Sequence, residues 1–464
     1  MPDHPQDELL QRGGLTVTII ETPTLGDRSY VVDDGLDALV VDPQRDVDRV
    51  HAVLTRRGVR LAAVAETHAH NDYVSGGLEL ARSAYVPYLV PCEAEVAYER
   101  TQVCGEDVRN VGSMTVRTIA TPGHTSHHVA FTVGIGERPA VVFTGGSMLF
   151  GAVGRTDLVA PELTERLTRA QHASVRRLVA EVDGAVTVLP THGFGSFCSA
   201  TPTSGTSSTV EQERSQNPAL TQEEDEFVAS LLAGFDAYPA YYVHMGPANL
   251  AGPVPGDLSP VSEADASELR RRIDAGEWVV DLREGKAFAR GHVAGSFNFD
   301  ATGNLVTYLG WLIPWGTPLT LIGESPAQVA DAQRELVRIG IDRPVAQATA
   351  PIEQLAHGRL ASYRTATFAE LAAARVDGVV HVLDVRRRSE WEDGHIEGAQ
   401  HIPLHELPDR IGEVTAGPVW VHCASGFRAA IAASILERAG KDVVVVADDV
   451  AEAGRSGLLM TSRR

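Results

Sequence analysis

The sequence predicts a multidomain α/β protein, and three observations lead to this fold class. At 464 residues, the chain is too long for one ordinary hydrophobic core. In the first half, apolar strand-like runs end in loops that carry histidine or glycine, as where LAAVAE runs into THAHNDY at 67–73. The second half contains an internal repeat that follows a proline-rich stretch. We therefore expect a larger domain over residues 1–250, a linker over 251–260, and two related smaller domains over 261–357 and 358–464.

The internal repeat can be checked letter by letter. VVDLREGKAFARGHVAGSFNF at 279–299 matches VLDVRRRSEWEDGHIEGAQHI at 382–402. Further on, PLTLIGESPAQVADAQRELVRIG at 318–340 aligns without a gap with PVWVHCASGFRAAIAASILERAG at 418–440. Each copy has the order strand, loop, helix, which is typical of a small α/β domain with a parallel sheet.

Composition and charge exclude several classes of partner. A formal net charge of −21 argues against nucleic acid or an anionic membrane surface, which both need clustered basic residues. No apolar run approaches the ~20 residues that span a bilayer, and the first residues lack the order of a signal peptide. The four cysteines have no CxxC spacing. We therefore expect a cytoplasmic protein with reduced thiols, in which Cys92 and Cys104 serve packing.

The loop CASGFR at 423–428 is the first candidate site. It lies between an apolar strand and an amphipathic helix, so unpaired backbone N–H groups of the loop and the helix point at the Cys423 sulfur and favour a thiolate. Arg428 adds a positive charge, and Gly426 lets the backbone turn tightly. Such a thiolate can carry sulfur as a persulfide, whereas the alternative is a buried structural cysteine. The candidate catalytic residues are Cys423, Ser425, Gly426 and Arg428.

A second candidate site combines histidines from several loops. In THAHNDY, His68, His70 and Asp72 alternate, so that a loop can direct all three side chains at one ion. His124 and His192 each follow a later strand in the same way. Any one of these histidines alone is more often a polar or capping residue, but together they predict a metal site. The neighbours of His124, His127 and His128, are not expected to be ligands. The candidate metal ligands are His68, His70, Asp72, His124 and His192.

The N-terminal motifs, in their order, resemble the metallo-β-lactamase superfold across roughly residues 14–245. The motifs are VVDPQ (40–44), THAHND (67–72), TPGHT (121–125), FTGG (143–146), GRTD (154–157) and LPTHG (189–193). The segment of roughly 364–460, with DVR, GHIEGA and CASGFR, resembles the rhodanese sulfurtransferases. GRTD, together with the two trailing copies, resembles persulfide dioxygenases fused to rhodanese domains.

The resemblance implies an αββα sandwich followed by two rhodanese-like α/β domains with parallel sheets. The first of these would be degenerate, because Gly323 stands at the position of Cys423 and Gln328 at that of Arg428. It further implies a mononuclear Fe(II) site that oxidises a low-molecular-weight thiol persulfide with O2 to sulfite. In such a site two histidines and one carboxylate bind the iron.

This sequence departs from the family pattern at two positions. Gly146 stands where the family has the carboxylate ligand, and Tyr73 stands where the superfold has a histidine for a second metal. A three-histidine set of His68, His70 and His124 remains, suited to Fe(II) or to zinc. Asp72 and His192 would then be weak second-site ligands or would orient the imidazoles.

The sequence also suggests substrate-binding residues, partners and two alternative functions. Cys198 and Tyr242 are candidate substrate-binding residues, although a buried packing role is at least as common for such a cysteine, and an aromatic cluster like that of Tyr242 more often belongs to the core. The expected partner is a small thiol persulfide or thiosulfate, and the chain could form a homo-oligomer. Two alternative functions stay open. One is zinc-dependent thioester hydrolysis, and the other is a metal-free scaffold whose chemistry is confined to Cys423.

Overall fold

The computed structural model describes residues 8–203, 205–358 and 360–461. The chain divides into two compact units. The first comprises Met1–Gly256 with Val337–Gly340, and the second comprises Asp257–Leu336 with Ile341–Arg464. In the described residues, no helix combines the length and the apolar character needed to cross a membrane.

The first unit contains two mainly antiparallel β-sheets. One sheet has the strand order β1 to β7, and the other has the order β13-β12-β11-β10-β9-β8. The strands are β1 (Glu8–Arg12), β2 (Leu15–Thr22), β3 (Asp27–Asp33), β4 (Asp37–Val41), β5 (Arg60–Ala65), β6 (Tyr88–Pro91), β7 (Thr101–Val103), β8 (Val108–Val111), β9 (Met114–Ala120), β10 (Val129–Ile135), β11 (Arg138–Gly145), β12 (Thr187–Pro190) and β13 (Ser208–Thr209). Strands β4 to β7 run parallel to one another, as do β11 and β12.

Helices cover the outer face of each sheet. They are α1 (Asp48–Arg57), α2 (Gly77–Ala84), α3 (Thr164–Glu181), α4 (Val210–Gln216), α5 (Pro218–Thr221), α6 (Glu224–Ala233) and α7 (Tyr242–Ala251), with a 3₁₀ turn at Pro161–Leu163. Between the sheets lies a core in which Tyr30 of β3 contacts Phe143 of β11, with ring centroids 5.1 Å apart. Val53 of α1 and Leu178 of α3 belong to separate clusters on the two outer faces. The order of layers is therefore helix, sheet, sheet, helix, as predicted.

The second unit contains two parallel sheets, with strand orders β16-β14-β17-β18 and β20-β25-β24-β21-β23. Two short antiparallel pairs, β15 with β19 and β22 with β26, accompany them. The strands are β14 (Trp278–Asp281), β15 (His292–Val293), β16 (Phe297–Asn298), β17 (Leu319–Ile322), β18 (Ala346–Ala348), β19 (Leu360–Ala361), β20 (Arg364–Ala366), β21 (His381–Asp384), β22 (His395–Ile396), β23 (Gln400–His401), β24 (Val419–His422), β25 (Val443–Val446) and β26 (Met460–Thr461).

Helices complete both parallel-sheet regions of the second unit. They are α8 (Ala266–Asp274), α9 (Gly285–Arg290), α10 (Leu305–Leu312), α11 (Pro326–Arg338), α12 (Ile352–Ala356), α13 (Phe368–Asp377), α14 (Arg388–Asp393), α15 (Leu407–Arg410), α16 (Phe427–Arg438) and α17 (Ala451–Arg455), with 3₁₀ turns at Leu404–Glu406 and Ile411–Glu413. An N-terminal capping box starts α13, where Thr367 and Glu370 bond each other's backbone N–H groups.

The repeated sequence forms the same contacts in both copies. In the first, Arg283 is paired with Asp281 and donates to the Gly291 carbonyl at 2.9 Å. In the second, Arg386 is paired with Asp384 and donates to the Gly394 carbonyl at 2.7 Å. The letter-by-letter match therefore corresponds to a structural repeat.

The structure corrects one prediction about the cysteines. Cys92 and Cys104 form a disulfide, with their Cα atoms 5.3 Å apart, instead of serving packing as reduced thiols. Cys92 directly follows β6 and Cys104 directly follows β7, and these strands are hydrogen-bonded neighbours. The pairing depends on strand adjacency, which cysteine spacing does not reveal. Cys198 and Cys423 are free and buried.

Candidate metal centre and cysteine loop

Three predicted ligands meet in the interior of the first unit. His68 follows β5, His124 lies between β9 and β10, and His192 follows β12, so each comes from a loop at the end of a buried strand. All three side chains are fully buried. One ring nitrogen of each histidine lies within 4.8 Å of a ring nitrogen of each of the other two.

Hydrogen bonds fix the orientation of all three imidazoles. Thr67 gives its hydroxyl hydrogen to Asp42 at 2.8 Å, so its oxygen accepts from His68 Nδ1–H at 2.9 Å. His124 Nδ1–H donates to the Arg155 carbonyl at 2.7 Å, and His192 Nδ1–H donates to Asp27 at 2.9 Å. Each Nε2 is thereby left for a metal, which is how ligating histidines are usually held.

The free nitrogens point toward a common position. His68 Nε2 and His192 Nε2 lie 3.4 Å apart. His124 Nε2 is buried and has no hydrogen-bond partner among the described residues. Burial lowers the pKa of His124 to about 3, so this imidazole is neutral and can offer its lone pair. Buried polar nitrogens are rarely left unpaired, and a metal ion would satisfy this one.

Two buried carboxylates lie behind His192. Asp72 Oδ2 is 3.1 Å from His192 Nδ1, the same nitrogen that contacts Asp27. Burial and the neighbouring Asp72 raise the pKa of Asp27 to about 8. Although burial opposes it, His192 lowers the pKa of Asp72, and both carboxylates raise the pKa of His192. The cluster therefore requires positive charge, which either a proton on His192 or a bound cation supplies.

His70 belongs to a neighbouring cluster. Its Nε2 lies 3.1 Å from Glu66, 3.4 Å from Asp42 and 3.0 Å from the Tyr73 hydroxyl. Burial opposes the charged form, but these two carboxylates raise the pKa of His70 to about 9. We call His68, His124 and His192 the central set. It contains His192, whereas the sequence analysis predicted His70 as the third histidine. Asp42 in VVD and Glu66 in VAE are strand-end acids, a signal that could have revealed them.

Even so, His70 lies close to the central set. His70, Asp72 and His192 form a second group whose ligand atoms lie within 4.8 Å of one another, and His70, Asp42 and Glu66 form a third. All five predicted ligands therefore lie in one continuous buried region. The remaining two histidines have other partners. His127 accepts from the Ala69 N–H at 3.0 Å, and His128 accepts from the Gly146 N–H at 3.0 Å.

The ring of His124 fills the space beside Gly146. A Cβ atom at Gly146 would lie 2.3 Å from His124 Cδ2, and one at Gly154 would lie 2.7 Å from His124 Nδ1. There is consequently no room for the carboxylate that the family places at position 146. Asp157, the acid of GRTD, is held in a two-point ion pair by Arg155, with both contacts at 2.7 Å. The donor set at the centre of this site is therefore built from histidines.

Cys198 and Tyr242 lie beside Asp72. The side chains of Cys198 and Tyr242 are both buried and lie close enough to Asp72 for its charge to act on them. Burial raises the pKa of Cys198 well above its usual value, and Asp72 adds to this effect. Tyr241 is also buried close to this group.

The cysteine loop has the predicted strand–loop–helix geometry. Cys423 directly follows β24, is 1% exposed, and accepts the Gly426 N–H on its sulfur at 3.2 Å. Gly426 has φ of 98°, a left-handed conformation that favours glycine, and it caps α16. Ser425 is exposed in the same loop. Arg428 is engaged by Glu390, at 2.5 and 2.8 Å, a partner that sequence reasoning missed.

The corresponding loop of the first copy is filled by its own side chain. The side-chain oxygen of Gln328 accepts the backbone N–H of Glu324 at 2.7 Å, and the backbone N–H of Gln328 donates to the Ser325 hydroxyl at 3.2 Å. The amide thereby bonds a loop donor that a bound anion would otherwise need. This loop has neither a thiol nor a free cation, as the sequence predicted from Gly323 and Gln328.

Comparisons with known proteins agree with these features. The Rhodanese-like domain family matches residues 367–452. A human protein, "Persulfide dioxygenase ETHE1, mitochondrial", is 29% identical over 239 residues, which is 48% of this chain and 84% of that protein. A "Hydroxyacylglutathione hydrolase" of Chromohalobacter salexigens is 29% identical over 170 residues, 36% of this chain and 63% of that protein. A solved metallo-beta-lactamase from Staphylococcus aureus superposes with a TM-score of 0.65 at 23% identity, covering 72% of this chain and 98% of that chain.

The class of protein follows from the fold and these comparisons. The first unit is a metallo-β-lactamase-like sandwich, and parallel α/β sheets follow it, of which one is a rhodanese-like domain. Those parts of the predicted fold are confirmed. The buried histidine and aspartate clusters are consistent with metal binding in this fold.

Proposed function

We propose that this protein is a two-centre enzyme of persulfide metabolism. The first unit would oxidise a low-molecular-weight thiol persulfide with O2 to sulfite, and Cys423 would transfer sulfane sulfur to or from a small thiol or thiosulfate. The observation that carries the proposal is the convergence of His68, His124 and His192, each with its Nδ1–H donated to an oxygen. The similarity to persulfide dioxygenases and the rhodanese-like domain supply the substrate class.

The residues of the first site fit a single metal ion. Their three Nε2 atoms face one another, and the His124 nitrogen has no other partner among the described residues. When bound, Fe(II) would supply open positions at which O2 and the persulfide react. A glutathione persulfide, O2 and water would give glutathione, sulfite and two protons, with the sulfane sulfur oxidised and O2 reduced. The unpaired nitrogen also disfavours a metal-free scaffold.

The surrounding side chains bind and orient. Asp27 and Asp72 hold His192 and neutralise the charge that the site accumulates. Cys198 and Tyr242, next to Asp72, would line the position of the substrate sulfur. Because the whole cluster is buried, bulk water is excluded and the electrostatic interactions are strong.

A second candidate is zinc-dependent thioester hydrolysis in the first unit. The all-histidine donor set favours it, because three histidines with an open fourth position suit zinc and lower the pKa of its bound water. The similarity to a hydroxyacylglutathione hydrolase is consistent with this chemistry. Transfer of sulfur at Cys423 would be unaffected by the choice of metal.

The arrangement of the second unit is also part of the proposal. We infer two rhodanese-like copies, of which residues 261–357 are inert and residues 358–464 are active. The shared Asp–Arg–Gly contacts at Arg283 and Arg386 support a common fold. In the first copy, the side chain of Gln328 takes up a backbone N–H of the loop, which supports the inactivity of that copy. A cytoplasmic location and small-molecule partners complete the proposal.

One preparation of the full chain tests both centres. Bound metal is measured first, followed by oxygen uptake with glutathione persulfide and cyanide-dependent sulfur transfer from thiosulfate. Iron with oxygen uptake supports dioxygenation. Zinc with thioester cleavage and without oxygen uptake would favour the second candidate and contradict the first.

A further inference from the structure

The inert copy of the second unit packs against the Cys423 loop. Helix α10 (Leu305–Leu312) is buried along its whole length. Its Tyr308 ring lies 5.7 Å from the ring of Phe427, the residue that begins α16 directly after the loop. A Cβ atom at Gly303, just before α10, would lie 2.3 Å from the same phenyl ring. The lack of a side chain at Gly303 therefore allows the two copies to come into close contact at this place.

Tyr308 brings an unpaired hydroxyl to this contact. The residue is 9% exposed, and its hydroxyl makes no hydrogen bond with any of the described residues. Burial raises the pKa of Tyr308, and the charges that act on it are those of Arg428, Arg387, Glu390 and Cys423. Together with the ring contact to Phe427, this places Tyr308 beside the cysteine loop.

Two donors of the loop are already engaged by groups of the protein. Arg428 is already paired with Glu390 through both terminal nitrogens, so its charge is partly neutralised. The Gly426 N–H is directed at the Cys423 sulfur. A donor with several oxygen atoms, such as thiosulfate, needs a further hydrogen-bond donor close to the sulfur.

We propose that Tyr308 is a substrate-positioning residue contributed by the inert copy, and that its hydroxyl donates a hydrogen bond to an oxygen of an oxo-sulfur donor at Cys423. This inference rests on the proposed sulfur transfer at Cys423. In that step the thiolate attacks the sulfane sulfur of thiosulfate. A bond forms between Cys423 Sγ and the sulfane sulfur, and the S–S bond of thiosulfate breaks. Its electron pair leaves with sulfite, and the cysteine remains as a persulfide anion, so atoms and charge balance.

The inference also predicts selectivity between sulfur donors. The Tyr308 hydroxyl can bond the oxygens of thiosulfate and of the departing sulfite. An alkyl persulfide such as glutathione persulfide has no oxygen on its reacting sulfurs. The hydroxyl should thus matter for the first donor class and not for the second.

The test compares Tyr308→Phe with the wild-type full chain, using both donors and cyanide as acceptor. Because a hydrogen bond to a charged group is lost, kcat/KM with thiosulfate should fall on the order of 10-fold, mainly through KM. With glutathione persulfide it should stay within about twofold of wild type. The matched control is Tyr363→Phe, a half-buried tyrosine of the same unit whose buried hydroxyl has no partner among the described residues and whose ring lies 5.6 Å from that of His292. It should leave both donors unaffected.

Three outcomes would overturn the inference. Unchanged thiosulfate kinetics in Tyr308→Phe would mean that the hydroxyl does not bind the donor. Equal losses with both donors, accompanied by a lower Tm, would assign Tyr308 a packing role. No transfer by the wild-type chain with either donor would refute the proposed function itself, and the inference with it.

Discussion

Substitution of Gly146 by alanine provides a sensitive test of the histidine site. The added Cβ would lie 2.3 Å from His124 Cδ2 and 2.6 Å from its Nε2, so the ring or the backbone must move. Overpacking of this kind costs ~1–3 kcal/mol. Displacement of the ring would also break the 2.7 Å bond from Nδ1 to the Arg155 carbonyl, adding ~1–3 kcal/mol for a buried group.

The expected result is a loss of about 2–6 kcal/mol in stability together with weaker metal binding. Changes in the partners that orient a ligand typically reduce metal affinity by ~10–100-fold. Gly234→Ala is the matched control, because its Cβ would meet nothing closer than 3.5 Å. Calorimetry of the full chain and metal titration measure both effects.

Gly146→Asp extends the same test. If position 146 were an empty carboxylate site, aspartate would increase iron occupancy. The structure predicts a decrease, because the same Cβ must displace His124. Higher iron occupancy in Gly146→Asp, with stability unchanged, would refute the packing described for His124.

Three further predictions concern the two centres. His192→Ala should reduce metal occupancy, measured by metal analysis, more than His70→Ala does. The reason is that His192 lies in the central set, whereas His70 is paired with Asp42 and Glu66. A larger loss of metal in His70→Ala would contradict this assignment. Cys423→Ser should abolish sulfur transfer and leave oxygen uptake intact, and loss of both activities would refute the separation of the two centres. The pKa of His70 is raised to about 9, so its proton stabilises the fold fully below about 6.5, and this contribution is lost as pH rises through about 9. The Tm of the metal-free chain should accordingly fall over this range, and His70→Gln should flatten the fall; an equal fall in the variant would assign it to other groups.

Much of the fold could be predicted from the sequence, because the motifs that indicate it are local along the chain. Each ligand-bearing loop directly follows an apolar strand, as at His68 and His192, so strand and loop can be recognised together. The repeat of Asp281 and Arg283 at Asp384 and Arg386 could likewise be read directly, and the structure gives both pairs the same contacts.

The features that the sequence did not reveal depend on tertiary contacts. The disulfide between Cys92 and Cys104 requires the adjacency of two parallel strands. The partner of His70 depends on which carboxylates are buried beside it, and Glu66 precedes the motif that drew attention. The pairing of Arg428 with Glu390 joins residues 38 positions apart. Spacing along the chain carries no signal for such contacts.

Oxygen uptake by iron-loaded full-length protein is the most direct measurement of the central claim. The chain is loaded with Fe(II) under anaerobic conditions, mixed with glutathione persulfide, and followed for O2 and sulfite together. The proposed reaction predicts that O2 consumption and sulfite formation rise in equal amounts and that both are lost in His192→Ala. Iron-loaded protein that consumes no O2, while the Cys423 centre still transfers sulfur, would contradict it.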